Sequence, residues 1–248
     1  MKRDYLSFSA LSAFAKSPNH YLEYVSGEKE ETRAMVVGQA THCKILEPQH
    51  FEERYAVSPK VDKRTKAGKE AYAKFVEISD GKKVLQQDEY ELIEALEASV
   101  RSHTCASELL KHATQMELPM ETELYGVPFK GIADIITSVS IVDLKTTADA
   151  SPEAFQRAAY NGKYHIQAAA YLQMARQLGM QVNPRFGWIV VEKTPPYNVQ
   201  VFIQSEEAAD RAQTELKQLI KRWQQWDGNP QSYTNNVAPV TLEYPRWA

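Results

Sequence analysis

The chain has 248 residues, 43 % of them hydrophobic, and its 29 basic and 32 acidic residues leave a formal net charge of -3. That length supports one domain with a sizeable core, or two small ones at most. The near balance of charge excludes a protein that holds nucleic acid by bulk attraction, so any DNA contact has to come from a local patch.

The first third reads as helical. Ser7 or Ser9 can cap a helix whose apolar positions Leu11, Phe14 and Ala15 recur at helical spacing, and Ser17-Pro18 ends or restarts it. A second helix is expected from about Arg33 to Glu47, stopped by Pro48. The lysine-rich stretch from Lys60 to Lys83 is read as a solvated helical face before it is read as a DNA-facing patch. A long helical pattern then runs from about Gln87 to His112.

From Leu118 the period changes, and three strands are expected, separated by Gly126-Val127-Pro128 and by Ser138-Val139. Helical patterns follow near Pro152 to Ala159 and Tyr164 to Leu178. Strand patterns come next, at Arg185 to Glu192 and Asn198 to Gln204. A helix from Ser205 to about Trp226 and a proline-containing tail complete the chain. One domain is expected over 1–248, with 1–117 mainly helical, 118–204 holding the sheet and the helix of Gln167, and 205–248 a helix and tail.

Cys43 and Cys105 are too few for a disulfide framework, a four-cysteine zinc site or an iron–sulfur cluster supplied by this chain alone. Both are expected as reduced, buried thiols. The N-terminus lacks the apolar run of a secretory signal, and no stretch approaches the roughly 20 apolar residues that span a bilayer, so a cytoplasmic protein is expected. No G-x-x-x-x-G-K-[ST] loop occurs, which argues against ATP-driven strand separation.

The chemistry concentrates in one hairpin. A symmetric turn between Ser138 and Val139 sets Ile136 opposite Ile141 and Asp134 opposite Asp143. Alternation along the strand then puts Lys145 on the face of Asp143, with Val142 and Leu144 on the other. Like charges facing each other destabilise a hairpin, and a divalent cation removes that cost. Hard carboxylate oxygens suit Mg²⁺ or Mn²⁺. The bland alternative is a surface hairpin with two solvated aspartates and a lysine salt bridge, and an odd-length turn would offset the pair. In such a site the aspartates are expected to hold one or two ions that activate water and polarise a phosphodiester, while Lys145 orients or helps deprotonate that water.

Supporting groups are weaker signals. Gln167 and Tyr171 share a helix face, and Gln167, set among Ile166 and three alanines, needs a polar partner if buried. Tyr164 and His165 can reach a substrate but are favoured as packing residues. Gly38 and His42 are also one turn apart, with glycine expected to admit another element. Glu121 and Glu123 have uncertain register, and either or neither faces the site.

Taken in order, Gly38-Gln-Ala-Thr-His42, Asp134, Asp143-Leu-Lys145 and Gln167-Ala-Ala-Ala-Tyr171 resemble the RecB-type branch of the PD-(D/E)xK nucleases. Within that branch the phrases SFSALSAFAKSPNHYLEY, GQATHCKILEP, GIADII, VDLKTTADASPEAF and YHIQAAAYL are similar to the C-terminal nuclease domain of RecE-type exonucleases (exonuclease VIII), over about residues 7 to 193. Beside those proteins, which carry a long N-terminal portion, this sequence is expected to correspond to the nuclease module alone.

The resemblance implies an α/β fold with a restriction-endonuclease-like core, a central mixed β-sheet flanked by helices, and a helical N-terminal region. It implies Mg²⁺-dependent exonuclease action on linear double-stranded DNA, 5′ to 3′, with Mn²⁺ able to substitute and neither ATP nor an iron–sulfur cluster required. The 3′ tails left behind would pass to a RecT-like single-strand annealing protein. A ring-shaped homo-oligomer, trimer or tetramer, in a bacterial or phage-infected cell is implied too. Carried over, His42, Asp134, Asp143 and Lys145 form the active site, and the Leu144 backbone carbonyl is a further metal ligand. Gln167 and Tyr171 complete the motif. By charge and position, Arg33, Arg157 and Lys163 are candidates to grip DNA, joined by Tyr164 and His165. A nuclease of the same fold acting on single strands or internal sites is the competing enzyme, and a catalytically idle DNA-end-binding module is the competing non-enzyme.

Overall fold

The computed structural model describes residues 3–27, 31–62, 64–180 and 185–229. The expected proline-containing tail lies mostly outside them. In chain order the elements are β1 (Leu6–Ser7), α1 (Phe8–Lys16), α2 (Pro18–Ser26), α3 (Arg33–Leu46), α4 (Phe51–Arg54), β2 (Tyr55–Val57), α5 (Lys66–Ile78), β3 (Lys83–Leu85), α6 (Gln87–Ser102) and α7 (Thr104–Lys111). There follow β4 (Ala113–Leu124), β5 (Val127–Thr137), β6 (Ser140–Thr147), α8 (Pro152–Asn161), α9 (Tyr164–Gln177), β7 (Arg185–Glu192), β8 (Val199–Ile203) and α10 (Glu206–Gln225).

Hydroxyl caps set several of the helix starts. Ser7, Ser17, Thr32, Thr65 and Ser205 each accept a backbone N–H from the first turn of the following helix. The helix expected from Gln87 to His112 breaks at His103, whose Nδ1 accepts the N–H of Ala106 and caps α7. The part expected to be mainly helical also carries β1, the short parallel pair β2–β3, and the start of β4. Cys43 is buried but Cys105 is exposed, so the expectation of two buried thiols fails at the second.

The main sheet has six strands, ordered β1-β5-β6-β7-β8 with β4 on β5. It is mixed: β4–β5, β5–β6 and β7–β8 are antiparallel, while β1–β5 and β6–β7 are parallel. The parallel step from β6 to β7 is bridged by α8 and α9, as a crossover requires. One face of the sheet packs on α1, α9 and α10 through Phe14, Met174, Leu216 and Trp223. The other packs Ile135, Val142, Leu144 and Ile189 against Ile45 of α3 and Leu96 and Val100 of α6. This is the mixed sheet flanked by helices that the family resemblance implies. Among the described residues no helix is long and apolar enough to cross a membrane.

The turn before β5 is Tyr125-Gly126, not Gly126-Val127-Pro128. Both its residues take positive φ, 51° and 80°, as two-residue hairpin turns of the primed types require. At the next turn the Thr137 hydroxyl accepts the N–H groups of Val139 and Ser140. The expected register follows, with Ile136 opposite Ile141 and Ile135 opposite Val142.

Candidate active site

Pairing between β5 and β6 stops at Ile135↔Val142, one residue short of the aspartates. On the same edge of β5, β1 pairs only with Phe129 and Lys130, while β4 runs along the other edge. Among the described residues, the stretch Gly131–Asp134 therefore has no strand beside it on that edge, and the sheet forks. Asp134 does not pair across to Asp143 as a regular ladder would have it. Its Oδ2 instead accepts the N–H of Leu144 at 2.8 Å, a side chain standing in for a missing ladder bond.

Side chains from both helical layers meet in this fork. From α9, the Gln167 amide donates through Nε2 to Asp143 Oδ1 at 2.8 Å, which gives its buried nitrogen a partner. Tyr171, one turn on, packs over Gly131, where an added Cβ would lie 2.7 Å from the ring. Lys145 Nζ sits 2.5 Å from Asp143 Oδ2 and 4.9 Å from the ring centre of Tyr164. From α3, His42 Nδ1 stands 3.6 Å from Asp134 Oδ2 and 3.8 Å from Glu117 Oε1. The bare hairpin of solvated aspartates is not what forms, since Asp143 is 2 % exposed and Asp134 9 %.

Burial of so many carboxylates sets the electrostatics. Desolvation, then the charge of Asp143, pushes the Asp134 carboxyl up to about 7, against the pull of His42, Lys145 and the Leu144 N–H. Burial alone would lower the pKa of Lys145, but Asp143 and Asp134 outweigh it and hold the ammonium above its ordinary value. His42 follows the same pattern: burial lowers it, while Glu117, Asp134 and Asp143 together raise it. The site is short of positive charge.

Among the described residues, the buried Glu117 Oε1 lacks a hydrogen-bond donor, whereas Asp143 Oδ2 is met by the Lys145 ammonium. An orphaned oxygen of this kind is costly unless something else meets it. Ligand atoms of His42, Glu117 and Asp134 all lie within 4.8 Å of one another. Two carboxylates and an imidazole fit a divalent ion of the Mg²⁺ or Mn²⁺ type. Asp143 stands just outside this trio, occupied by Lys145 and Gln167, and the Leu144 side chain is buried in the core with its N–H spent on Asp134.

Glu117 is the residue the sequence reading passed over, because β4 was expected to begin at Leu118. The signal was present. The Tyr125-Gly126 turn pairs Leu124 with Val127 and Leu118 with Ala133, and the same register sets Glu117 across from Asp134. There the ladder is interrupted and Glu117 takes a φ of 47°, which turns its carboxylate inward. Glu121 and Glu123 pair with Lys130 and Pro128 near the turn, away from the site.

The remaining candidates scatter. Tyr164 lies at the site beneath Lys145, whereas His165 turns away, with Nε2 3.2 Å from Glu215 of α10 and its ring stacked on Tyr160. Arg33 is ion-paired with Glu89 and donates to the Val84 carbonyl. Arg157 is exposed on α8, and Lys163 precedes α9 in a left-handed conformation, φ 57°.

The family model that matches this chain is the PDDEXK-like domain of unknown function (DUF3799), over residues 7–232. The chain belongs to that family, and its fold is that of the PD-(D/E)xK nucleases. Among solved structures, it is similar to the crystal structure of a "Putative exonuclease" from Eubacterium rectale, with 15 % identity and a TM-score of 0.59 over 97 % of this chain and 91 % of that one. No curated protein matches the sequence.

Proposed function

We propose that the protein is a divalent-metal-dependent exodeoxyribonuclease that digests linear double-stranded DNA from 5′ ends and leaves 3′ single-stranded tails. The observation that carries the hydrolytic reading is the convergence of His42, Glu117 and Asp134 on one point, beside the Asp143–Lys145 pair in the β5/β6 fork. A structural ion pair has no use for surplus buried negative charge, and a phosphodiester hydrolase does. The resemblance of the ordered motifs to RecE-type exonucleases supports the polarity and the strand-annealing context, with a RecT-like partner and a ring-shaped homo-oligomer.

His42, Glu117 and Asp134 would hold the ion, with Asp143 and the Leu144 carbonyl completing its surroundings. A bound Mg²⁺ or Mn²⁺ would supply Lewis acidity toward the phosphate and water of lowered pKa. Gln167 fixes the rotamer of Asp143, and Asp143 in turn holds Lys145. In the metal-free protein Asp143 and Asp134 hold Lys145 as an ammonium. Beside a bound ion it would orient or help deprotonate the attacking water and offset charge on the phosphoryl oxygens. Water adds to phosphorus, the P–O3′ bond breaks, the water's proton passes to solvent, and the leaving oxygen takes up a proton.

The test compares end-labelled linear duplex, closed circular duplex and single strands, each with Mg²⁺ and with EDTA. Metal-dependent release of nucleotides from linear duplex, with circles intact, is the expected result. Cutting of circles or a preference for single strands would move the assignment to another nuclease of this fold. Tight end binding without hydrolysis would mark an idle end-binding module.

A further inference from the structure

Ten glycines occur in the chain, and nine have a reason internal to the fold. Four take φ between +71° and +84°, where side chains are strained. At five others, Gly131 among them, an added Cβ would come within 2.9 Å of a neighbouring atom. Gly38 has neither excuse. It lies inside the helix α3, and apart from its chain neighbours and the adjoining backbone of that helix no described atom stands within 4 Å of the point a Cβ would occupy. The expectation that another element packs closely there fails. Glycine in a helix interior is second only to proline in destabilising it, so the fold alone would favour alanine.

The space in front of Gly38 is where two cavities meet. One, of about 800 Å³, reaches His42 and Glu117 and has Lys83 on its wall. The other, of about 300 Å³, is bounded by Arg33, Thr146 and Lys193, with Thr146 directly after Lys145 in β6. Gly38 lines both, and sits one helical turn, about 6 Å, from His42. A strand whose phosphate lies at the metal-ligand trio can continue past α3 through this space, where Lys193 and Thr146 line one side, and Lys83 and Arg33 nearby are ion-paired with Glu31 and Glu89.

We infer that the sugar–phosphate backbone of the strand being cut crosses α3 at Gly38, in the space a side chain would fill. Gly38 is then a substrate-positioning residue. This rests on the nuclease reading above and adds to it the path of the substrate.

The full-length protein, Gly38→Ala and Gly38→Leu are compared by melting temperature, by the melting shift on adding Mn²⁺, by retention of end-labelled duplex in Ca²⁺, and by kcat/KM in Mg²⁺. Gly38→Ala is expected to melt higher, by about 2 °C, with the Mn²⁺ shift unchanged in both variants. Gly38→Leu is expected to lose about 100-fold in kcat/KM, the scale that misplacement by an ångström produces, with DNA retention falling in parallel. A wild-type protein that cleaves DNA beside a Gly38→Leu variant that cleaves and retains it equally well overturns the substrate path alone. A leucine variant that melts lower or loses the Mn²⁺ shift makes the glycine structural and overturns it too. A wild-type protein that neither retains nor cleaves any DNA removes the nuclease reading, and the inference with it.

Discussion

Replacing Asp134 by asparagine should stabilise the metal-free protein. Raising a carboxyl from 3.8 to about 7 costs about 4 kcal/mol once the group is ionised, at about 1.4 kcal/mol for each tenfold change in proton affinity. Relaxation and the continued burial of Asp143 bring the expected gain to about 2 kcal/mol. The asparagine Oδ1 can still accept the Leu144 N–H, so the fork keeps its hydrogen bond. Because the folded pKa is raised, the stability owed to protonated Asp134 is complete below about 3.8 and is lost as pH climbs through about 7. The gap between variant and wild type is therefore small near pH 4, widens up to pH 7 and is flat above it. Differential scanning calorimetry in EDTA at pH 8 should show Asp134→Asn melting about 4–8 °C higher. Adding Mn²⁺ should raise the wild type and barely move the variant. A variant that melts lower in EDTA, or that gains as much from Mn²⁺ as the wild type, would refute the reasoning.

Three further outcomes follow from the same geometry. Lys145→Ala should abolish metal-dependent hydrolysis in an end-labelled assay while leaving duplex retention in Ca²⁺ measurable. Full activity in that variant would remove Lys145 from the chemistry. Glu117→Gln should weaken Mn²⁺ affinity by calorimetric titration about 10-fold or more, since it neutralises one of the three groups that converge, whereas Glu121→Gln, remote from the trio, should leave it unchanged. Gly131→Ala should destabilise the fold by about 1–3 kcal/mol, measured by urea unfolding, because its methyl would lie 2.7 Å from the Tyr171 ring.

Much of the architecture could be read from local chemistry. Hydroxyl caps and proline stops fixed α1, α2, α3 and α10, and strand alternation separated Val142 and Leu144 from Asp143 and Lys145. Turn symmetry predicted the Ile136–Ile141 and Ile135–Val142 pairs that form. The fork was not legible, because it depends on β1 and β6 sharing one edge of β5, a long-range pairing with no local signature. The Gln167–Asp143 hydrogen bond follows from a rule about buried amides, yet its partner could not be chosen without the crossover that brings α9 over the sheet. His42 and Glu117 belong to different elements and meet only in the folded chain. Glu117 was missed because the strand was expected to begin at Leu118, and because the turn expected at Gly126 to Pro128 left the register of that strand open.

That dependence has an evolutionary edge. The two hairpin turns act as rulers: Tyr125-Gly126 sets where Glu117 falls against β5, and Ser138-Val139 sets where Lys145 falls relative to Asp134. Surface loops elsewhere can absorb insertions and deletions at little cost. A one-residue indel in either ruler would carry a charged group to the opposite face of the sheet. Length drift among relatives should therefore collect in other connections and spare these two turns.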